Sequence, residues 1–350
     1  MSRIAVVFTG GTISMVIDPT AGGAMPALDG AAILARTPGL DRIADVVPVD
    51  RGMIPASHWS FERLLDLAGD LRGLAGDPAI DGIVVVQGTD TIEESSFAFE
   101  LLVDTSKPIV VTGAMRNATD PGYDGPANLR DAVRCAANVG LAGAGVVVVL
   151  AGTIEPAADV TKTHASALDT FRSLNEGRLG RLVDDAVIVE RSRGPRRPVL
   201  ATTMAASPVP IVVATIGLDD GLIGAIRSLR PAGIVVEATG AGNTGAGLLV
   251  EAAGAIRDGI PIVLTTRCPS GAAGPGYAFP GGGATWVRAG AFLAGTLTGP
   301  KARIALSLAL GAGLRGTALG SFMAGPESGP EGIAGANPGA GAAAGASASA

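Results

Sequence analysis

The chain has 350 residues, a length that suggests two domains with a sizeable core in each. Its 26 Lys plus Arg stand against 32 Asp plus Glu, and the net charge of −6 argues against a nucleic-acid partner. Hydrophobic residues make up 47%, with Ala and Gly carrying much of the apolar character and aromatics only 3%; the long uncharged stretch 135–154 is Gly-rich and fits a helix end followed by a buried strand rather than a membrane span.

The first residues, MSRIAVVFTGG, run straight into a strand pattern with no basic leader, apolar core or cleavage site, so a cytoplasmic protein is expected. An apolar β-branched run predicts a strand at 4–8. A helix is predicted over 61–71, a strand at 83–86, a helix over 91–102 and a strand at 109–111. The helix over 126–139 carries Pro126 in its first turn, where a missing N–H costs nothing. Strands at 146–150 and 187–189 complete this half. Strands alternating with helices imply βαβ units and a parallel sheet. Residues 191–208, RSRGPRRPVLATTMAASP, have no period and read as a linker with solvated arginines. A second set follows, with strands at 211–214, 233–237 and 261–265 and helices over 220–229, 247–258 and 301–310. The expected fold is therefore α/β. A larger N-terminal domain, 1–190, holds a mostly parallel sheet flanked by helices, and a smaller α/β domain, 209–325, holds a second parallel sheet. Residues 326–350, rich in Gly, Ala and Ser, have little to bury and are expected to be disordered.

Two cysteines, Cys135 and Cys268, lie far apart without CxxC spacing and read as buried free thiols. His58 and His164 have no partner at ligand spacing, so no metal and no cofactor is expected.

In an open parallel sheet, ligands sit beyond the carboxyl ends of the strands. Two Gly–Thr elbows fall there: Thr9-Gly10-Gly11-Thr12 after the first strand, and Gln87-Gly88-Thr89-Asp90-Thr91 after the strand at 83–86. Glycine allows a sharp turn and exposes N–H groups, while threonine presents a hydroxyl. Asp90 or Thr91 followed by Glu93 or Glu94 also fits a capping box. Neither elbow has the spacing of a phosphate loop. A third stretch, Asp159-Val160-Thr161-Lys162-Thr163-His164, keeps one of only three lysines, with Lys107 and Lys301, in a chain that otherwise uses arginine. Unlike arginine, lysine can give up its proton. A threonine hydroxyl needs a base before it can attack, and a desolvated lysine can be that base. Two hydroxyls, a lysine and exposed backbone N–H groups point to nucleophilic acyl transfer with an oxyanion site.

The stretches TGGTI, QGTDTIEES, PIVVTGAMR, DGPANL, DVTKTHAS and GAGNTG, in this order and over residues 3–315, resemble those of the bacterial L-asparaginases, two-domain amidohydrolases. The resemblance implies hydrolysis of L-asparagine to aspartate and ammonia. It makes Thr12 the nucleophile and Thr89 a second threonine activated by Lys162. Asp90 would hold the substrate ammonium and complete the Thr–Lys–Asp set. Gly11, Gly88 and Ala114 would offer backbone contacts, and Asn243 would reach a neighbouring subunit's site in a homo-oligomer, a dimer or tetramer. Three departures bear on recognition. Residues 14–31 hold no tyrosine where the family has one on a mobile loop, although Gly22-Gly23 could hinge a lid. The family's carboxylate-binding serine falls near Asp50-Arg51-Gly52, where Arg51 could supply a bidentate contact instead. The glutamate often given by a partner subunit has no match near 275–290. The alternatives are an amidase for glutamine or another side-chain amide, and a binder or sensor that has lost turnover. An amidotransferase subunit and a nucleotide-binding protein fit less well.

Overall fold

A computed structural model describes residues 1–326. The stretch expected to be disordered lies, from 327 on, outside the described residues. In chain order the elements are β1 (Arg3–Phe8), β2 (Met15–Asp18), β3 (Gly23–Pro26), α1 (Gly30–Ala35), β4 (Asp45–Asp50), α2 (Phe61–Gly76), β5 (Gly82–Val86), α3 (Ile92–Leu102), β6 (Ile109–Thr112), α4 (Gly125–Ala136), β7 (Val146–Leu150) and β8 (Thr153–Pro156). They continue with β9 (Val160–Lys162), β10 (Phe171–Ser173), β11 (Gly180–Val183), β12 (Ala186–Val189), β13 (Ile211–Val213), α5 (Leu222–Ser228), β14 (Ile234–Ala238), α6 (Ala246–Arg257) and β15 (Ile262–Thr266). The last are α7 (Gly283–Ala289), β16 (Phe292–Leu293), α8 (Gly299–Gly311) and α9 (Gly316–Ala324).

The larger sheet has the order β12-β11-β8-β7-β6-β5-β1-β4. From β7 to β4 every pairing is parallel. β8, β11 and β12 extend it antiparallel. The second sheet, β13-β14-β15-β16, is parallel throughout. The central strands are buried on both faces, which is why they read as unbroken apolar runs. Val6, Val84, Val110 and Val147 share a cluster with α1 and α4, whereas Val7, Val85, Val111 and Val148 share one with α2, α3 and α8. Val235 and Val263 of the second sheet belong to that same cluster. Their neighbours Val236 and Leu264 pack instead with α6 and Trp286 of α7. The layers are thus helix, sheet, helix, helix, sheet, helix, with α3 against α8 at the seam. Among the described residues no helix is long and apolar enough to cross a membrane.

Several local expectations are corrected. The strand at 187–189 exists, as β12, but on an antiparallel edge rather than in a βαβ unit. β4 carries Pro48 and a charge at each end, a pattern that hides a strand yet is tolerated at the sheet edge it occupies. Residues 15–26 form the β2–β3 hairpin. The arginines of 191–208 are not simply solvated: Arg193 and Arg196 close on the buried Glu100 of α3, each at 2.8 Å. Cys135 is buried as expected, whereas Cys268 is exposed.

Candidate active site

The chain leaves β1 for β4 on one side and returns to β5 on the other. A crevice opens at such a reversal, between the loops that follow β1 and β5. Both Gly–Thr elbows sit there. Thr9 bolts the first to the second: its N–H and its hydroxyl donate to the Val86 carbonyl at 2.9 and 3.0 Å. Gly11 has φ +95°, and a Cβ on it would lie 2.2 Å from Gly88 Cα. Only glycine lets the two elbows touch. Thr12 opens a single 3₁₀ turn over Thr12–Ser14, tightened by Ser14, whose N–H and hydroxyl donate to the Gly11 carbonyl at 2.9 and 2.7 Å. The Tyr123 hydroxyl donates to the carbonyl of Ile13, the residue after Thr12, at 2.7 Å. Burial pushes the Tyr123 phenol up to about 12, so it keeps its proton and its donor role.

The second elbow is the turn Thr89–Thr91, which runs directly into α3. Thr89 is buried, and the loop after β6 approaches its elbow closely because Gly113 has no side chain: a Cβ there would lie 2.4 Å from Gln87 O. Lys162, at the end of β9, reaches across to this turn. Its Nζ donates to Thr89 Oγ1 at 3.0 Å and to Asp90 Oδ1 at 2.7 Å. The lysine side chain is only 15% exposed while that of Asp90 is 70% exposed, so the amine is sheltered and the carboxylate stands at the mouth.

Glu93 does not close a capping box. Thr91 caps α3 without a side-chain hydrogen bond. Glu93 instead accepts from the Thr161 hydroxyl and, at 2.9 Å, from the Lys162 N–H, tying the lysine strand to the turn that it addresses. The DGPANL stretch has a similar office. Asp124 accepts from the N–H groups of Met115 and Arg116 at 3.0 and 2.9 Å, just past the buried Ala114. Asn128 donates to Gly113 O at 3.0 Å and accepts from Ala151 N at 3.1 Å, linking the loops after β6 and β7.

The structure therefore brings Thr89, Asp90 and Lys162 into direct contact, with Gly88 on the same elbow, Gly11 and Thr12 on the adjoining one, and Ala114 buried in the loop after β6. It places three candidates differently. The Arg51 guanidinium pairs with Asp70 of α2 at 2.6 Å. The Gly52 N–H is turned to Asp50 Oδ1 at 2.8 Å. The turn that does abut the second elbow is Ala56–His58: a Cβ on Gly88 would lie 2.8 Å from Ala56 Cβ, and the Thr91 hydroxyl donates to Ala56 O at 3.3 Å. Asn243 sits in the second domain, bridged to Thr239, with its Oδ1 buried and lacking a hydrogen-bond partner among the described residues. Tyr123 and the Ala56 turn are neighbours of the site that sequence reasoning passed over, and Glu93 is one that it read only as a cap. The tyrosine's partner is 110 residues away, and only the fold brings it close.

An amine within hydrogen-bond reach of a threonine hydroxyl, beside a carboxylate and two glycine elbows at a sheet's switch point, is an arrangement by which an α/β protein can bind a small ligand and exchange a proton with it. Comparison with known proteins gives the lineage. The family profile "Asparaginase, N-terminal" matches residues 3–194, and "Glutaminase/Asparaginase C-terminal domain" matches 208–323. The chain is 35% identical to a probable L-asparaginase of Deinococcus radiodurans over 318 residues, 89% of this chain and 94% of that protein. It is 32% identical to a probable periplasmic L-asparaginase of Haemophilus influenzae, with 89% of each covered. The crystal structure of a probable cytoplasmic L-asparaginase from Campylobacter jejuni superposes with a TM-score of 0.78 at 29% identity, covering 89% of this chain and 95% of that one. The chain belongs to the asparaginase family.

Proposed function

We propose that the protein hydrolyses the side-chain amide of L-asparagine, giving L-aspartate and ammonia, through a covalent acyl-enzyme. Thr12 Oγ attacks the amide carbon, the C–N bond breaks, and the nitrogen leaves as ammonia with the proton given up by the hydroxyl. Thr89 and Lys162 then take a proton from water. The water oxygen attacks the ester, and its cleavage releases the aspartate carboxylate and returns the proton to Thr12. Asp90 holds the substrate ammonium at the open mouth, and the N–H groups around Gly11, Gly88 and Ala114 receive the developing oxyanion. The reading rests above all on the Lys162 amine lying 3.0 Å from Thr89 and 2.7 Å from Asp90, beside the elbow that carries Thr12. The catalytic residues fall in a domain spanning 1–190, joined by 191–208 to a second over 209–325.

Ammonia release from L-asparagine tests it. Thr12→Ala and Lys162→Met should each lower kcat by about 10³-fold or more, as loss of a nucleophile or its base does. Wild-type turnover in both variants would sink the proposal. A related reading is an amidase for glutamine or another side-chain amide: with the Arg51 guanidinium engaged by Asp70, no named side chain fixes the distance from α-carboxylate to amide that distinguishes asparagine from glutamine. The ratio of kcat/KM for asparagine and glutamine separates the two. We further propose a homo-oligomer, a dimer or tetramer, in the cytoplasm, with the unpartnered Asn243 oxygen meeting a neighbouring subunit. Sedimentation as a monomer would refute the assembly.

A further inference from the structure

The strand that carries Lys162 has weak support of its own. Among the described residues β9 pairs only with β10, over three residue pairs, in a ribbon separate from both main sheets. A two-stranded ribbon of that size is marginal by itself. A proton-transferring group must nevertheless be held within about 0.5 Å of its productive place. Glu93 supplies one tether, at Thr161 and Lys162. A second comes from the other domain. Lys301, in the first turns of α8, is buried, and its Nζ donates to the carbonyls of Ala157 at 2.9 Å and Val160 at 2.5 Å. Those carbonyls bracket the entry to β9. The amine also lies 5.8 Å from the centroid of the Phe97 ring on α3. A lysine sunk this deeply needs compensation, and here it comes from two carbonyl dipoles, an aromatic face and the nearby charges of Glu93 and Asp159.

We propose that Lys301 is a positioning residue for the amide-cleaving site: by gripping Ala157 and Val160 from the second domain, it fixes how far the Lys162 amine projects toward Thr89. The assignment rests on the role given to Lys162 above. It also explains why this chain, which uses arginine almost everywhere, keeps lysine at both places. One lysine handles the proton. The other is a compact donor on a slender stem, which fits between α3 and α8 where a guanidinium would not.

Lys301→Met retains the stem and removes the donor. It should lower kcat for ammonia release by about 10- to 100-fold, with KM changed less than about twofold, since a shift of an ångström at a catalytic group costs that much. In a Lys162→Met background the same change should cost nothing further, because its effect passes through Lys162. A crystal structure of Lys301→Met should show Lys162 Nζ beyond hydrogen-bond reach of Thr89 Oγ1. A kcat at the wild-type level, equal losses in both backgrounds, or a Lys162–Thr89 distance kept at 3.0 Å would overturn the proposal. Should Lys301→Met not fold, Lys301→Gln takes its place with the same readings. Failure of the underlying site is a separate result: Lys162→Met alone would then turn over like wild type.

Discussion

Tyr123 shows how one residue can be visible in a sequence and its task invisible. The N-terminal segment lacks a tyrosine, and the first in the chain stands at 123. Its hydroxyl nonetheless ends on Ile13 O, one peptide from the candidate nucleophile, while its ring packs over Gly125. Tyr123→Phe keeps the ring and deletes only the donor. It should lower kcat several-fold and leave the Ile13 carbonyl without that partner, a loss of about 1 kcal/mol in stability. A pH signature accompanies it. Burial raises the folded-state phenol to about 12, against about 10 when unfolded. The proton is therefore held more tightly in the folded protein. That stabilisation is full below pH 10 and is lost as pH rises through 12. Denaturant titrations at pH 9 and 11.5 should show wild type losing more stability than Tyr123→Phe over that interval. Parallel losses would remove the phenol from the account.

At the scale of elements, legibility followed burial. β1, β5, β6 and β7 are apolar on both faces, so each announces itself as a run. β8 to β11 hold three or four residues each, and hairpin pairings such as Leu150 with Thr153 and Val183 with Ala186 leave runs too short for a local period to betray them. The site divides in the same way. The elbows were legible because glycine beside threonine after a strand has few other uses. The place of Arg51 was not, since its partner Asp70 lies on α2 and nothing in the spacing of the two residues reports that contact. Glu93 is the instructive case. Its position two residues into α3 suits a cap, and the fold spends it on β9 instead. Glu93→Ala should release β9 from the Thr89 turn, costing about 2–3 kcal/mol for two bonds to a charged acceptor and at least tenfold in kcat. Glu93→Gln keeps an acceptor oxygen and should recover most of both. A fall in which Gln is no better than Ala would mean that the charge, rather than the tether, is what matters.

For the whole molecule, the question is what holds two α/β layers in one fixed relation, since the proposed site borrows Lys301 from the second. The seam between α3 and α8 is apolar in the main, and α3 also meets the linker in a dense polar knot. Glu100 is 2% exposed and accepts from Val146 N at 2.7 Å, from Arg193 Nη1 at 3.0 Å and from Arg196 Nε at 2.8 Å. Arg193 also donates to Ala144 O at 2.6 Å, and Arg197 to the carbonyls of Phe322 and Met323 in α9. The arginines of the linker thus staple it to both domains. A buried pair is poor evidence of net stabilisation, because desolvation offsets much of its attraction. Removing one member is another matter. Glu100→Ala leaves the Arg193 guanidinium, 8% exposed, without its counter-charge and should cost about 3–5 kcal/mol. Arg51→Ala breaks a pair whose members are 43% and 32% exposed, and should cost under about 1 kcal/mol. Urea unfolding of both variants beside wild type checks the contrast. Because the knot ties the linker between the domains to α3, Glu100→Ala should also lower kcat for ammonia release at temperatures where it remains folded, whereas an unfolding midpoint at the wild-type value would show that the apolar seam alone holds the domains together.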